Sequence, residues 1–298
     1  MKKLLYLFLL LPLLMVGCKK HSAGSDTNAE VVFNLSFDRA LAAHQTINVD
    51  TKAEGVTFRN IICVYKMDAT GSVISQEKPD YSFSWEGEKT TYTGSLPVGK
   101  YRVLAWSDHK GGSSLYWDAS DFTSIKMDGT HQGSDENVRA FKGDVVLDVT
   151  DNGNRALSIP MASPMGKFVV LSTEAQQAAL NGLKVRFTYS QFMPSAFGMF
   201  HDKPVDSKSG VSFTSTPEEG PEGTVQLGYD YVLTNGAEST VPMLMEILSG
   251  SEVASFFTFN IPLVRGKITT VKGEFLSGGS QAAITIDTEF EGSFTVEI

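Results

Sequence analysis

Apolar and polar residues alternate with a period of two along most of the chain after about residue 30. This spacing places every second side chain on one face of an extended backbone, so it predicts half-buried β-strands. The clearest alternating stretches are 31–37, 101–106, 145–150, 225–233, 257–263 and 294–298. The run at 58–67 is more continuously apolar and rich in β-branched and aromatic residues, which predicts a more deeply buried strand.

Helical patterns are scarce by comparison. The best covers 173–181, with Ser172 or Thr173 as the N-cap and Gly182 as the stop. Many strands with few helices favour β-sandwiches over βαβ units. Two prolines within 160–164 separate two sets of about seven predicted strands. We therefore predict an all-β protein with two sandwich domains, residues 30–160 and 161–298, without a close sequence repeat between them.

The first 18 residues have the pattern of an export signal. Lys2 and Lys3 precede 13 apolar residues at 4–16, a run too short for a bilayer that needs about 20. Gly17 and Cys18 follow, and this order is similar to a bacterial lipobox. It predicts a signal peptide at 1–17, acylation of Cys18 and a flexible tether at 18–29. The alternative is an ordinary signal peptide followed by an incidental cysteine.

Charge and cysteine content exclude several classes of protein. The net charge of −9 argues against nucleic acid as a partner, because a phosphate backbone attracts clustered Lys and Arg. Two cysteines cannot make a disulfide framework or a Cys-rich zinc site. Cys63 lies in an apolar run and is predicted to be a buried hydrophobic residue.

Signatures of catalysis are missing from the sequence. It contains no phosphate-binding loop, no dinucleotide fingerprint, no zinc-protease helix motif and no nucleophile elbow. The five histidines, at 21, 44, 109, 131 and 201, follow no metal-ligand spacing. We therefore expect a protein that is not an enzyme, with no catalytic residues, no metal and no cofactor.

The most unusual segment is 105–121, which concentrates aromatic and acidic residues around a Gly-Gly pair. Trp106, Tyr116 and Trp117 could form a platform that stacks on sugars, and three aspartates could contribute to a calcium site. The alternative is a long hairpin whose aromatic side chains pack on the edge of the sandwich. Both interpretations stay open at this stage.

Residues 96–108, LPVGKYRVLAWSD, resemble the P-x-G-x-Y-x-x-x-x-W-x-D stretch of Bacteroidales fimbrillin-type lipoproteins. Further stretches resemble the same family in the same order, namely 116–117 with 138–143, 157–168, 189–213 and 265–287. The sequence departs from the family at 161–165, where members often have Arg-Pro-Leu-Ala. The resemblance covers most of residues 30–298.

This resemblance implies two transthyretin-like, Greek-key β-sandwich domains. Members of the family build, anchor or cap type V pili, and their superfamily assembles by strand exchange, in which a sheet groove accepts a neighbour's strand. In the polymerising members, cleavage after an arginine frees this groove, and Arg39 is the corresponding candidate here. The candidate exchange segments carry Val31, Phe33, Leu35 and Phe37 near the start and Phe294, Val296 and Ile298 at the end. The alternative for the last three is an ordinary core strand.

The resemblance therefore implies a lipid-anchored fimbrial anchor or accessory subunit. Its expected partners are the outer membrane, through the lipid, other fimbrial subunits, and a host or bacterial surface ligand. The alternative is a surface lipoprotein that binds a glycan or another ligand through Trp106, Tyr116 and Trp117.

Overall fold

The computed structural model describes residues 28–37, 56–112, 114–174, 182–276, 282–287 and 294–297, the last two segments by their backbone alone. Most of the helix predicted at 173–181 lies outside the described residues, as do Cys18 and Arg39. In the described part of the chain, no helix is long and apolar enough to cross a membrane.

The described residues form strands almost throughout, which confirms the all-β prediction. Two short 3-10 turns, Glu136–Val138 and Pro221–Gly223, are the helical exceptions among them. The strands are β1 (Ala29–Phe37), β2 (Thr57–Lys66), β3 (Tyr81–Glu86), β4 (Thr91–Leu96), β5 (Gly99–Lys110), β6 (Leu115–Asp118), β7 (Ile125–Gly129), β8 (Ala140–Val149), β9 (Arg155–Met161), β10 (Met165–Ser172), β11 (Leu183–Tyr189), β12 (Met193–Gly198), β13 (Lys203–Lys208), β14 (Ser212–Ser215), β15 (Glu218–Glu219), β16 (Val225–Leu233), β17 (Glu238–Ser249), β18 (Glu252–Val264), β19 (Ile268–Gly273), β20 (Ala282–Asp287) and β21 (Phe294–Glu297).

Seven strands make a sandwich that we call the first strand set: β1 to β5, β8 and β9. One sheet has the order β4-β1-β9 and the other has the order β3-β2-β5-β8. Inward-facing side chains of both sheets meet in one buried cluster, as expected from alternation across a pleated strand. Val31 and Phe33 of β1 lie in it beside Ile62 of β2 and Val103 of β5.

A second strand set repeats this connectivity with β10, β11, β14 and β16 to β19. In both sets the first strand pairs antiparallel with one neighbour and parallel with the last, β1 with β4 and β9, and β10 with β16 and β19. The opposite sheets also correspond, because the order β3-β2-β5-β8 becomes β14-β11-β17-β18. The two halves therefore share a topology without sharing a close sequence repeat. The second set adds β15, β20 and β21 to its first sheet.

A fifth sheet joins the two sets. Its order is β13-β12-β7-β6, so it combines strands inserted into the first set with strands inserted into the second. The junction is β7 against β12, where Lys126 pairs with Ala196 and Ile125 with Phe197. The predicted domain seam at 160–164 covers the last two residues of β9 and the link to β10.

This shared sheet explains why residues 58–67 are so continuously apolar. Ile62 and Val64 of β2 point into the first sandwich, while Ile61 and Cys63 point the other way, into the cluster that contains the shared sheet. A strand covered on both faces needs apolar residues at successive positions rather than at alternate ones. The prediction of a deeply buried strand is confirmed, and so is the burial of Cys63, which is 6% exposed.

Candidate functional site

The strand that the sequence marks for exchange, β1, occupies the centre of its sheet. On one side Ala29 to Asn34 pair antiparallel with Leu96 to Thr91 of β4. On the other side Val31 to Phe37 run parallel to Arg155 to Met161 of β9. Because both edges of β1 are paired, its removal would leave a groove with two unpaired backbone edges, which is the geometry that accepts another strand.

The inward face of β1 is apolar along its whole length. Ala29, Val31 and Phe33 are fully buried, and Leu35 is 4% exposed. The Phe33 ring lies 5.6 Å from that of Phe83, measured between centroids. Burial of each large apolar side chain is worth about 1.5–3 kcal/mol, so these side chains add to the backbone pairing that holds β1 in its sheet.

A glycine shapes the wall of this groove. Gly94 of β4 pairs with Val31 of β1. A Cβ atom at this position would lie 2.9 Å from Cζ of Phe83 and 3.1 Å from Cε2 of Phe33. Such contacts are shorter than van der Waals separations, so both rings can lie against β4 only because residue 94 has no side chain.

Part of the stretch that resembles the fimbrillin-type family builds the corner beside this wall. The hydroxyl of Tyr101 in β5 donates a hydrogen bond of 2.9 Å to the carbonyl of Pro97. A Cβ atom on Gly99 would lie 3.1 Å from that hydroxyl oxygen, so glycine gives the ring its access to the turn. Burial raises the pKa of Tyr101 to about 12, so the hydroxyl stays neutral at physiological pH and donates to the turn between β4 and β5.

The end of the same stretch is a buried ion pair. Arg59 holds Asp108 through two hydrogen bonds, Nε to Oδ1 at 2.9 Å and Nη2 to Oδ2 at 2.5 Å. The indole nitrogen of Trp106 donates to the same Oδ2 at 2.8 Å. Burial raises the pKa of Asp108, against the opposing effect of Arg59. Asp108 is thus a structural anchor, with its carboxylate already saturated by protein donors.

The structure does not assemble the aromatic platform that was considered for Trp106, Tyr116 and Trp117. Trp106 is fully buried and Trp117 is 3% exposed, while Tyr116 is 52% exposed. The two indole rings meet edge to face at 5.2 Å inside the protein. Alternation along β6 sends Tyr116 and Trp117 to opposite faces, so the three rings cannot share a surface. The two tryptophans are instead packed inside the protein, in agreement with the alternative interpretation of this segment.

The described residues also contain no cluster of three or more His, Cys, Asp or Glu side chains able to hold a metal ion. Cys63 shows no sign of activation, because burial raises the pKa of its thiol to about 11. A thiol with a raised pKa is a poor nucleophile at neutral pH.

At the C-terminal end, β20 pairs antiparallel with β19, and β21 pairs with β20. The strand β21 is therefore the outer edge of the six-stranded sheet. It contains Phe294 and Val296, whereas Ile298 lies outside the described residues. The exchange segments predicted near the two ends thus occupy different positions, the centre of one sheet and the edge of another.

Sequence reasoning missed a polar cluster that links the two strand sets. Nε2 of His131 lies 2.6 Å from Oδ2 of Asp230, and the hydroxyl of Tyr189 donates to the same oxygen at 2.5 Å. Burial, followed by the charge of Asp230, raises the pKa of Tyr189 well above its usual value. The available signal was Asp230 itself, an acid in an otherwise apolar alternating strand, which requires buried partners.

A second contact of this kind ties the 3-10 turn Glu136–Val138 to β10 and β16. Nζ of Lys167 lies 2.6 Å from Oε1 of Glu136, and the hydroxyl of Tyr231 donates to Oε2 at 2.6 Å. Burial raises the pKa of Glu136, but Lys167 and Tyr231 lower it more, so the net shift is downward. These contacts hold the two sets together and place no reactive group in an open cleft.

Comparison with solved structures shows the fold. The chain aligns with a structure from Bacteroides thetaiotaomicron VPI-5482 described as "putative polysaccharide binding proteins (DUF1812)", with a TM-score of 0.55 and 10% identity over 91% of this chain and 98% of that one. It also aligns with a "putative cell adhesion protein" from Bacteroides ovatus ATCC 8483, with a TM-score of 0.52 and 11% identity over 91% and 98% of the two chains.

Similarity at the level of sequence is confined to a family model. No curated protein matches the chain. One model, described as "Family of unknown function (DUF6562)", matches residues 23–298, which is most of the chain. The protein therefore belongs to this family of unknown function, DUF6562, and has the two-sandwich fold found in those Bacteroides structures.

Proposed function

We propose that this protein is a lipid-anchored anchor or accessory subunit of a fimbria, which supports pilus assembly and cell adhesion through β-strand exchange. The observation that carries the proposal is the position of β1, which is paired on both edges and buried on its inward face. The sequence resemblance to fimbrillin-type lipoproteins supports the same role. The fold shared with a "putative cell adhesion protein" supports a place at the cell surface.

The connectivity of the chain makes β1 removable. Cleavage anywhere between β1 and β2 separates β1 from the rest of the fold, and Arg39 lies in that interval. Its counterpart β10 lies between β9 and β11, so two cuts would be needed to release it. Of the two equivalent strands, β1 alone can leave after a single proteolytic event.

The donor in this proposal is the C-terminal strand of another subunit. The strand β21, with Phe294 and Val296, alternates apolar and polar residues as β1 does. It lies at a sheet edge, where β20 is its one partner among the described strands. An edge strand breaks fewer hydrogen bonds on leaving than a central strand does, and alternate side chains would set its register in the groove of β1.

The remaining parts of the proposal concern membrane attachment and domain organisation. Cys18 carries the lipid that holds the uncleaved protein to the outer membrane, and residues 18–29 form the tether. After a cut at Arg39 the lipid stays with the β1 fragment, so the remaining body is held by its contacts with other subunits. Each strand set is one domain, with the seam at 160–164. The partners are other fimbrial subunits, together with a surface ligand of the host or of another bacterium.

The exchange step can be tested on the purified full chain. Limited trypsin treatment is expected to cut after Arg39, and a fluorescent peptide with the sequence of residues 292–298 is expected to bind only afterwards. Trypsin also cuts after lysine, and Lys52 lies in the same interval between β1 and β2. The matched control is therefore the Arg39→Gln, Lys52→Gln double variant, which should bind the peptide far more weakly after the same treatment. Equal binding before and after cleavage, or no binding at all, would contradict strand exchange at this groove.

The cellular role needs a test in the native host. Deletion of the protein is expected to change the length, number or attachment of the pili seen by electron microscopy, and the wild-type chain should restore them. The Cys18→Ser variant should appear outside the membrane fraction and should fail to restore attachment. Unchanged pili on the deletion strain would refute the fimbrial role.

A further inference from the structure

A cavity of about 250 Å³ opens at one end of the second strand set. Its walls come from the link between β11 and β12, the turn between β16 and β17, and the start of β17. Besides Tyr189, whose hydroxyl is bonded to Asp230, four polar side chains line it, Gln191, Asn235, Ser239 and Thr240. No Lys, Arg, His, Asp or Glu is among the lining residues, although the chain as a whole carries a net charge of −9.

These four side chains are not used by the fold and face solvent, since Gln191, Asn235 and Thr240 are exposed and Ser239 is half-buried. Within the described residues, none of them forms a side-chain hydrogen bond or an ion pair with another protein group. Together they present two amides, which both donate and accept, and two hydroxyls, which do the same. This set matches a ligand that is itself uncharged and rich in hydroxyl groups.

An exposed aromatic ring stands at the same cavity. Phe192 is 72% exposed, the highest value among the large apolar side chains of the described residues. It belongs to the link at 190–192, between the end of β11 and the start of β12. An exposed ring beside a cavity offers a flat apolar face, and the C–H face of a sugar ring is a matching surface.

The wall that carries Asn235 is held rigidly. The guanidinium of Arg265 donates from Nε to Oγ1 of Thr234 and from Nη2 to its carbonyl, both at 3.1 Å. The amide of Thr234 donates to the carbonyl of Pro164 at 3.1 Å, and Arg265 is itself fixed by two 2.8 Å bonds to the carboxylate of Asp202. A site on a fixed backbone loses less entropy when a ligand binds.

From this geometry we propose that the cavity binds a neutral saccharide unit. The unpaired amides and hydroxyls bind ring hydroxyls and Phe192 stacks on the sugar face. Acidic sugars gain no advantage, because the lining has no cation to pair with a carboxylate. The volume lies just below the range of about 300–1,000 Å³ typical of drug-sized ligands, so the occupant is one sugar residue or the end of a chain. The cavity shares no lining residue with the groove of β1.

The test measures the binding of single sugars to the purified full chain by saturation-transfer NMR and by calorimetry. The probes are glucose, galactose, mannose and N-acetylglucosamine, with glucuronic acid as the charged counterpart. At least one neutral sugar is expected to bind, and Phe192→Ala and Asn235→Ala should each weaken its binding about tenfold. The matched control is Phe256→Ala, which removes a ring that is 67% exposed but lies outside the cavity.

Three results would overturn the proposal. They are the absence of binding by every neutral sugar at concentrations that reveal millimolar affinity, a preference for glucuronic acid, and equal weakening by Phe256→Ala. Circular dichroism of each variant separates loss of binding from loss of the fold. The outcome is independent of strand exchange, because neither peptide binding nor cleavage after Arg39 involves these residues.

Discussion

The two strand sets have the same connectivity but differ at their edges and in how their first strand is held. In the first set the sheet ends at β9, which among the described strands pairs only with β1. In the second set the equivalent strand β19 is extended by β20 and β21. With the same topology, the first sheet therefore ends at β9, whereas the second continues through β20 to a new edge at β21.

The two first strands also differ in their polar contacts. No side chain of β1 forms a hydrogen bond or an ion pair with another described residue. In contrast, β10 carries Lys167, which contacts Glu136 and lies 4.1 Å from the ring centroid of Tyr229. Backbone pairing and apolar contacts accept any alternating strand, whereas an ion pair requires an opposite charge at one position. The contacts of β1 are therefore compatible with the proposed strand exchange, whereas the contacts of β10 favour that strand alone.

The largest expected effect comes from the ring at the centre of β1. Phe33→Ala should lower the free energy of unfolding by about 3–5 kcal/mol, because a fully buried ring is replaced by a cavity. Urea denaturation followed by fluorescence measures the change. The control is Ser36→Ala on the exposed face of β1, for which a change within about 0.5 kcal/mol is expected. A small effect of Phe33→Ala would mean that β1 contributes little to the first set.

The next prediction compares two equivalent glycines. Gly228 of β16 pairs with Val170 of β10, as Gly94 pairs with Val31. A Cβ atom at 228 would lie 2.6 Å from Cε2 of Phe187, closer than the 2.9 Å contact at Gly94. Both alanine variants should lose about 1–3 kcal/mol of stability through overpacking, with the larger loss at 228.

Thermal and urea unfolding of both glycine variants test this order. Ser95→Ala, beside Gly94 on the exposed face of β4, is the control and should change little. A larger loss at 94 than at 228 would show that the first set is the more tightly packed of the two.

Acid should loosen the first set through His109. Burial, followed by the charge of Arg139, lowers the pKa of this imidazole from 6.5 to about 4. The unfolded chain then takes up a proton at a higher pH than the native protein does. Stability is therefore complete above pH 6.5 and falls as the pH decreases towards 4, by about 3 kcal/mol.

His109 contacts Phe58 at 5.3 Å between ring centroids, and Phe58 contacts Phe37 at the end of β1. Urea unfolding at pH 7 and pH 4.5 measures the loss, and His109→Leu should reduce the difference between the two values. If the variant keeps the full pH dependence, another group is responsible.

The smallest expected effect concerns the ion pair between Lys167 of β10 and Glu136. Lys167→Met keeps the apolar stem but removes the charge, and should cost about 1 kcal/mol. The control is Lys272→Met in the neighbouring β19, whose ammonium is 3.8 Å from the exposed Glu222 and should contribute almost nothing. Equal effects of the two variants would remove the distinction drawn between β1 and β10.

Local patterns predicted the strands well because burial on one face imposes a period of two, and burial on both faces imposes a continuous apolar run. Both rules hold for β1 and β2. The positions of the tryptophans were harder to predict from the sequence. Trp106 and Trp117 are brought together by the packing of strands β5 and β6, and the residue types alone do not distinguish a sugar platform from a core contact. The cavity beside Phe192 was missed entirely, since its polar residues come from three separate segments.

By itself, the sequence determined the all-β class, the two sets of strands and the deep burial of β2, because these depend on the alternation of neighbouring side chains. Tertiary structure alone decided that β1 is central while β21 is an edge, that inserted strands from both halves form one sheet, and that Asp230 finds His131 and Tyr189. These features depend on pairing between distant segments, whose register is set by the packing of whole sheets against each other rather than by any local pattern.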